Sequence, residues 1–429
     1  MLTTHKFELD ANSIITFHRI RYSNEPDQKR NFTFVRWDTD ESISLNIEGL
    51  QILKQLNKGK TIHEVALVCQ TSSADIIHLI KFLISVGYVK TIDTLSLPDN
   101  FERIRPWLTH SPRKWFRWII AKPLLIGLVI YVILGILVGF SVEQHIPTYK
   151  DFFWTDDLFI LTIMGIVVVS ILMFLHEFAH LIITKAVGGE ARIRLSSRFF
   201  NLTALTDHYH LSIVPKPWRY LPYIAGIFFD LIVIASIYWL ITVSDIYMWK
   251  LGILRQFLWS VLLFEFIGIV AEFNVSIETD IYNLSVDFLD QDNLYNDTKK
   301  YLYLKINKIS HPLFTPVKGL ITMLLFTKKR LSQANDMRLF SKQEQRQLLM
   351  FGLIFIFGLI LSTWTFFIYF LPRDLIFIFK SVNQLFSASV NQNLEEIIKT
   401  LIVIFFSMLP YFLLMNAMRK KYQKHGSFL

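Results

Sequence analysis

A single cysteine, Cys69, stands among the 429 residues. No internal disulfide can form from it, and no cysteine-based zinc site can be built. The chain also lacks low-complexity tracts and any convincing internal repeat. Its start, MLTTHKFELDANS, has neither the basic opening nor the apolar stretch of a signal peptide. Charged residues are scarce at 18%, while 52% of the chain is hydrophobic and 38 residues are Phe. A soluble domain of this length can bury a large core without long apolar runs; stretches of about 20 apolar residues instead match the hydrocarbon thickness of a bilayer. The composition therefore points to a polytopic membrane protein. The formal net charge of +9 would suggest nucleic acid as the partner of a soluble protein. In a membrane protein, Lys and Arg collect on the cytoplasmic side instead, and no concentrated basic helix marks a nucleic-acid surface.

Two parts of unlike character follow one another. Residues 1–100 read as a small soluble α+β domain, 101–118 as a basic linker, and 119–429 as the membrane part. In the first part, NFTFVRWD (31–38) and SISLN (42–46) alternate like strands. GLQILKQLNKG places Leu50, Leu53 and Leu56 on one helix face. Thr61 and Glu64 form a capping-box pattern that starts a second helix, TIHEVALVC. Ser72 or Ser73 caps a third, which Gly87 ends, and YVKTI (88–92) closes as a strand. Strands, three short helices and a closing strand suggest a winged-helix-like module.

Beyond residue 118, six runs have the length and apolarity of membrane spans: 119–140, 158–184, 221–242, 251–273, 348–371 and 397–417. A seventh apolar piece, 313–326, is short and carries Pro316 and Lys318, which suits an interfacial or re-entrant segment. Basic residues recur at every second crossing: Arg113, Lys114 and Arg117 before the first span, Arg192, Arg194 and Arg198 after the second, Lys328, Lys329 and Arg330 after the fourth, and Arg419, Lys420 and Lys421 after the last. The positive-inside rule then places both termini, and the front domain, in the cytoplasm of a multi-pass cell-membrane protein.

The second run ends ILMFLHEFAHLIITKAVGG. His176 and His180 are four residues apart, so a helix projects both imidazoles from one face. Two neutral imidazoles at that spacing can grip a zinc ion, and Glu177 beside them is placed to take a proton from an activated water. Two His and a Glu inside an apolar span are costly and imply a function. A third ligand must come from elsewhere at the same cytoplasmic depth. The candidates are Asp280 in FNVSIETDIYNL, Asp207 in LTALTDHYH with His208 and His210 beside it, and Asp230 in AGIFFDLIV. Glu265 and Glu272, the other acidic groups in or near spans, suit hydrogen-bonded helix contacts or water-facing ends.

HEFAH within an apolar helix resembles the site-2 protease class of intramembrane zinc metalloproteases. In that class the third ligand is an aspartate near the end of a later helix, usually in an NPxxDG-type motif. The corresponding segment, FNVSIETDIYN, keeps Asn274, Asp280 and Tyr282 but lacks the Pro and the Gly. It is more similar to the divergent branch of peptide zinc metalloproteases, in which a Thr-Asp-x-Tyr version occurs. The resemblance covers about residues 150–300 and implies His176, His180 and Asp280 as zinc ligands, with Glu177 as general base. The front domain, through ISLNIEGLQILKQLNKGKTIHEVA and SSADIIHLIKFLISVGYV, resembles the PqqD-like leader-recognition domains. In that family an extended leader peptide lies along a strand edge.

Gly188 and Gly189 break the helix after HEFAH, and ARIRLSS can form a short strand at the membrane surface. A strand there offers an edge on which an extended substrate can pair; a basic loop held by phospholipid headgroups is the other reading. Together these features imply a membrane-embedded zinc peptidase that processes a ribosomally made, possibly modified peptide captured by its leader, alongside a peptide-modifying enzyme or transporter. Two other functions fit the same residues. One is regulated cleavage of a membrane-anchored signalling protein. The other is an inactive immunity or export partner, against which the intact HExxH argues.

Overall fold

The computed structural model describes residues 9–23, 25–26, 30–99, 101–198, 201–277, 279–291, 293–307 and 340–426. The chain is mainly helical, with a small N-terminal sheet region. It divides into two compact units: Met1–Ala121 with Leu181–Arg194 and Thr206–Pro222, and Lys122–His180 with Leu195–Leu205 and Tyr223–Leu429. The seventh apolar piece, 313–326, lies outside the described residues.

In the first unit, β2 (Ile20–Tyr22), β3 (Phe32–Arg36) and β4 (Ser42–Leu45) form one antiparallel sheet. β1 (Ile15–Phe17), β5 (Val89–Ile92) and β6 (Leu95–Ser96) form another, with Ile15 opposite Ile92. Between β4 and β5 run α1 (Ile47–Leu56), α2 (Ile62–Cys69) and α3 (Ser73–Ser85). Local chemistry sets their starts. The Thr61 hydroxyl accepts from the Glu64 amide at 3.3 Å while the Glu64 carboxylate accepts from the Thr61 amide at 2.9 Å. The Ser72 hydroxyl accepts from the Asp75 amide at 3.1 Å. Leu50, Leu53, Leu56, Ile62, Ile76, Ile80 and Leu83 turn inward onto Ile15, Phe34 and Val89. Each such burial is worth roughly 1.5–3 kcal/mol. β1 and β2 escape the sequence reading because each spans three residues, and His18, Arg19 and Arg21 interrupt their alternation.

One buried cation closes this core. Arg36 on β3 donates to Asp38 Oδ1 at 2.7 Å, to the Gly87 carbonyl at 2.7 Å and to Asp99 Oδ1 at 2.9 Å. Its hydrogen bond holds the Asp99 carboxyl down at about 2. The segment after β6 is thereby fastened over the end of α3.

The same unit includes the last turn of α5 (Leu158–Val187) and the roots of the hairpin β7 (Glu190–Arg198) and β8 (Asn201–Tyr209). Arg113 donates to the Ala186 and Val187 carbonyls at 2.9 and 2.7 Å. It thus satisfies carbonyls that have no partner within the helix and sets positive charge at the helix C-terminus. Gly188 follows at φ +107°, and a Cβ there would meet the Arg113 guanidinium at 3.0 Å. Lys185 and Glu190, both buried, pair at 2.9 Å across the turn. The Trp107 amide donates to the Ala191 carbonyl of β7 at 2.8 Å, and the Ile104 amide to Asp38 O at 3.0 Å. His210, at φ 62°, sets its Nε2 2.9 Å from the Thr39 carbonyl and its ring against Trp37.

The described residues of the second unit are mostly helical. α4 (Lys122–Glu143), α5, α6 (Lys216–Ile246) and α7 (Ile253–Glu272) lead to α8 (Asp280–Leu289) and α9 (Leu294–Asn307). α10 (Lys342–Thr365), α11 (Leu371–Val390) and α12 (Leu394–Gly426) complete it. Ile237, Tyr238 and Ile241 of α6 pack on Trp259 and Leu262 of α7, with Val168 and Leu172 of α5 against them. Val275, Leu289, Tyr301, Leu348 and Phe351 bind α8 and α9 to α10.

Among the described residues, five helical segments are long and apolar enough to cross a membrane: Lys122–Glu143, Leu158–Val187, Lys216–Ile246, Ile253–Glu272 and Lys342–Val390. The sixth expected run, 397–417, lies within α12, whose side chains from 413 onward are outside the described residues. The fifth segment differs from the sequence expectation, which ends a span at 371. The helix instead passes through Pro372 to Val390 over 49 residues. A π turn, Phe366–Phe370, precedes the proline. It widens the helix where the Pro ring would crowd the preceding turn and where an N–H is missing.

A candidate metal centre on helices 5, 6 and 8

The helical period of α5 brings His176 and His180 onto one face, with ring centroids 4.9 Å apart. His180 is fully buried, and the His176 side chain is 14% exposed. Glu177 is buried beside them, three residues before His180 and hence its neighbour on the helix surface. Asp280 is the first residue of α8. Its Oδ2 lies 3.2 Å from His176 Nε2 and 2.7 Å from His180 Nε2. One ligand atom from each of the three residues therefore falls within 4.8 Å of the other two.

Two residues of α6 complete the surroundings. Asp230 Oδ2 lies 2.8 Å from His176 Nδ1. Asp230 thus meets the ring nitrogen that points away from Asp280, the geometry by which a carboxylate orients a metal-ligating imidazole. Gly226, one turn before Asp230, faces the same cluster. An ideal Cβ on Gly226 would lie 2.2 Å from His176 Nε2 and 2.4 Å from His180 Nε2. Both are far inside van der Waals contact, so only glycine at this position lets α6 come this close to the two imidazoles.

The donor set fits zinc: two imidazoles and a carboxylate, with a fourth position open. A tetrahedral centre with such bonds sets its ligand atoms about 3.3 Å apart. The His176–Asp280 separation of 3.2 Å matches this. The His180–Asp280 separation of 2.7 Å would open by roughly half an ångström on metal binding.

The rival third ligands lie elsewhere. Asp207 is on β8, where its carboxylate accepts from Arg194 Nε at 2.8 Å. His208 Nδ1 is 2.8 Å from the Thr184 hydroxyl, and His210 is bonded to Thr39 O. A second group with metal-ligand spacing among the described residues is His18, Asp38 and Asp99. Both of its carboxylates are already bonded to Arg36, so a cation is in place there. Asp230 meets His176 through Nδ1, on the side of the ring away from Asp280, and is outside the three-residue cluster. Gly226 was missed from the sequence. Its four-residue spacing from Asp230 was visible, but nothing local showed that this face meets the histidines.

No family model matches the chain, and no curated protein or solved structure matches it either.

Proposed function

We propose that this chain is a membrane-embedded zinc peptidase of the site-2 protease kind, processing a peptide whose leader is held by the front domain. The observation that carries the reading is the convergence of His176, His180 and Asp280 to metal-ligand spacing, with Gly226 letting α6 approach the two rings and Asp230 behind His176. A buried constellation of this kind on apolar helices is costly and calls for a function. A zinc ion held there would polarise a peptide carbonyl and make water acidic near neutrality. Glu177 then takes the proton from the attacking water and delivers it to the leaving amine. Asp230 keeps His176 in the tautomer that ligates.

Exposed apolar side chains support a bilayer setting. Ile126, Ile130, Ile133 and Leu137 on α4, and Leu353, Phe357, Ile360 and Trp364 on α10, face outward. Surfaces this apolar are not carried by water-soluble monomers. With basic segments cytoplasmic, both termini and the front domain lie on the cytoplasmic side.

The front domain supplies exposed strand edges at β2 and β4 for a leader peptide. Its β3–β4 turn is bonded to His210 and its linker to Ala191. β7 and β8 pair with each other, and in this reading the hairpin holds a substrate extended, with its carbonyls open to attack.

The test is cleavage of a fluorogenic peptide library by the full chain in detergent. 1,10-Phenanthroline should stop cleavage and added zinc should restore it, and a leader extension should lower KM. Cleavage that ignores the chelator would contradict the reading.

A further inference from the structure

Asp280 stands at the start of a short helix, and something must aim it. The helix begins at Asp280 itself, so the first-turn amides have no partners within the helix. The N-cap residue, Thr279, makes no side-chain cap. It is buried, and its hydroxyl donates instead to the backbone carbonyl of Glu272 at 2.7 Å. The Asp280 amide donates to Glu272 Oε2 at 2.9 Å. A residue at the end of α7 thus caps α8 from outside, through both its main chain and its carboxylate.

Resting on the metallopeptidase reading, we infer that Glu272 is a positioning residue for the zinc site: its carboxylate grips the Asp280 amide and thereby fixes where the third ligand's oxygen points. A backbone N–H held by a buried side-chain oxygen fixes the peptide unit that carries it. This one acts on the ligand's own peptide unit, so any loss is felt directly at Oδ2. Asp280 differs in this from His176 and His180, which the middle of a long helix already holds. It also explains how a segment lacking Pro and Gly keeps its aspartate aimed: a side chain from the neighbouring helix does the holding.

Groups that support metal ligands in this way cost 10–100-fold in affinity when removed.

The test uses the full chain in detergent, loaded with zinc or cobalt(II). Apparent zinc affinity is measured by competition with a chromogenic chelator, ligand geometry by the cobalt absorption bands, and folding by thermal melting. Glu272→Ala should weaken zinc by about 10–100-fold and shift the cobalt bands. Glu272→Asp, which keeps the charge but is one methylene short, should do the same. Glu272→Gln, whose amide oxygen can still accept from the Asp280 amide, should stay within about threefold of wild type. Wild-type affinity and bands in both Glu272→Ala and Glu272→Asp would overturn the inference. So would equal losses in Glu272→Gln and Glu272→Ala, since charge rather than the hydrogen bond would then matter. Should Glu272→Ala fail to melt cooperatively, the Asp and Gln pair decides alone. A wild-type chain that takes up neither metal would contradict the metallopeptidase reading itself.

Discussion

Glu177→Gln should bind zinc as the wild type does and cleave peptide about 10²–10⁴-fold more slowly. The amide is nearly isosteric with the carboxylate, so the packing around this buried residue is kept. It cannot take a proton, however, and the attacking water stays weakly nucleophilic. Loss should fall on kcat, because Glu177 is not a ligand and does not hold the substrate. Zinc content by mass spectrometry and single-turnover cleavage separate the two effects. A Glu177→Gln enzyme with wild-type turnover would remove Glu177 from the proton-transfer role and move that role to another group near the cluster.

Gly226→Ala should lose zinc by more than about 100-fold in affinity, beyond what removal of an outer hydrogen-bond partner costs. The added methyl would stand 2.2 and 2.4 Å from the two Nε2 atoms, where a carbon has no room, so the imidazoles must turn away from Asp280. Alanine is the best helix former and is preferred to glycine by about 1 kcal/mol in a helix interior, so α6 itself gains from the change. The variant should therefore remain helical and insert normally while its metal content falls and its activity disappears. Circular dichroism together with metal analysis checks this. A Gly226→Ala protein with full zinc would show that α6 stands farther from the histidines than the geometry has it.

Features written locally in the chain were legible in the sequence. HEFAH displays its chemistry because a helix puts residues four apart on one face, whatever surrounds it. The starts of α2 and α3 were legible for a similar reason: Thr61, Glu64 and Ser72 act within three residues of themselves. Asp280 was a candidate by depth, but only the resemblance preferred it to Asp207 and Asp230, since nothing near it says which helix it will meet. Gly226, Asp230 and Glu272 act across helix interfaces. A glycine matters here for what fits against it, and a buried glutamate for whose amide it reaches; neither is a local property. The expected span ends at 371 because the apolar run does, yet the helix continues through Pro372 after a π turn. β1 and β2 were too short, and too rich in His and Arg, to show a period of two.

The most direct measurement is zinc K-edge absorption on the full-length protein purified in detergent, paired with metal stoichiometry. The account predicts one zinc per chain, ligated by two imidazoles and by oxygen, with no sulfur in the shell, and lost when His176 or His180 becomes alanine. A metal-free wild-type protein that still cleaves peptide, or zinc retained in both alanine variants, would contradict it.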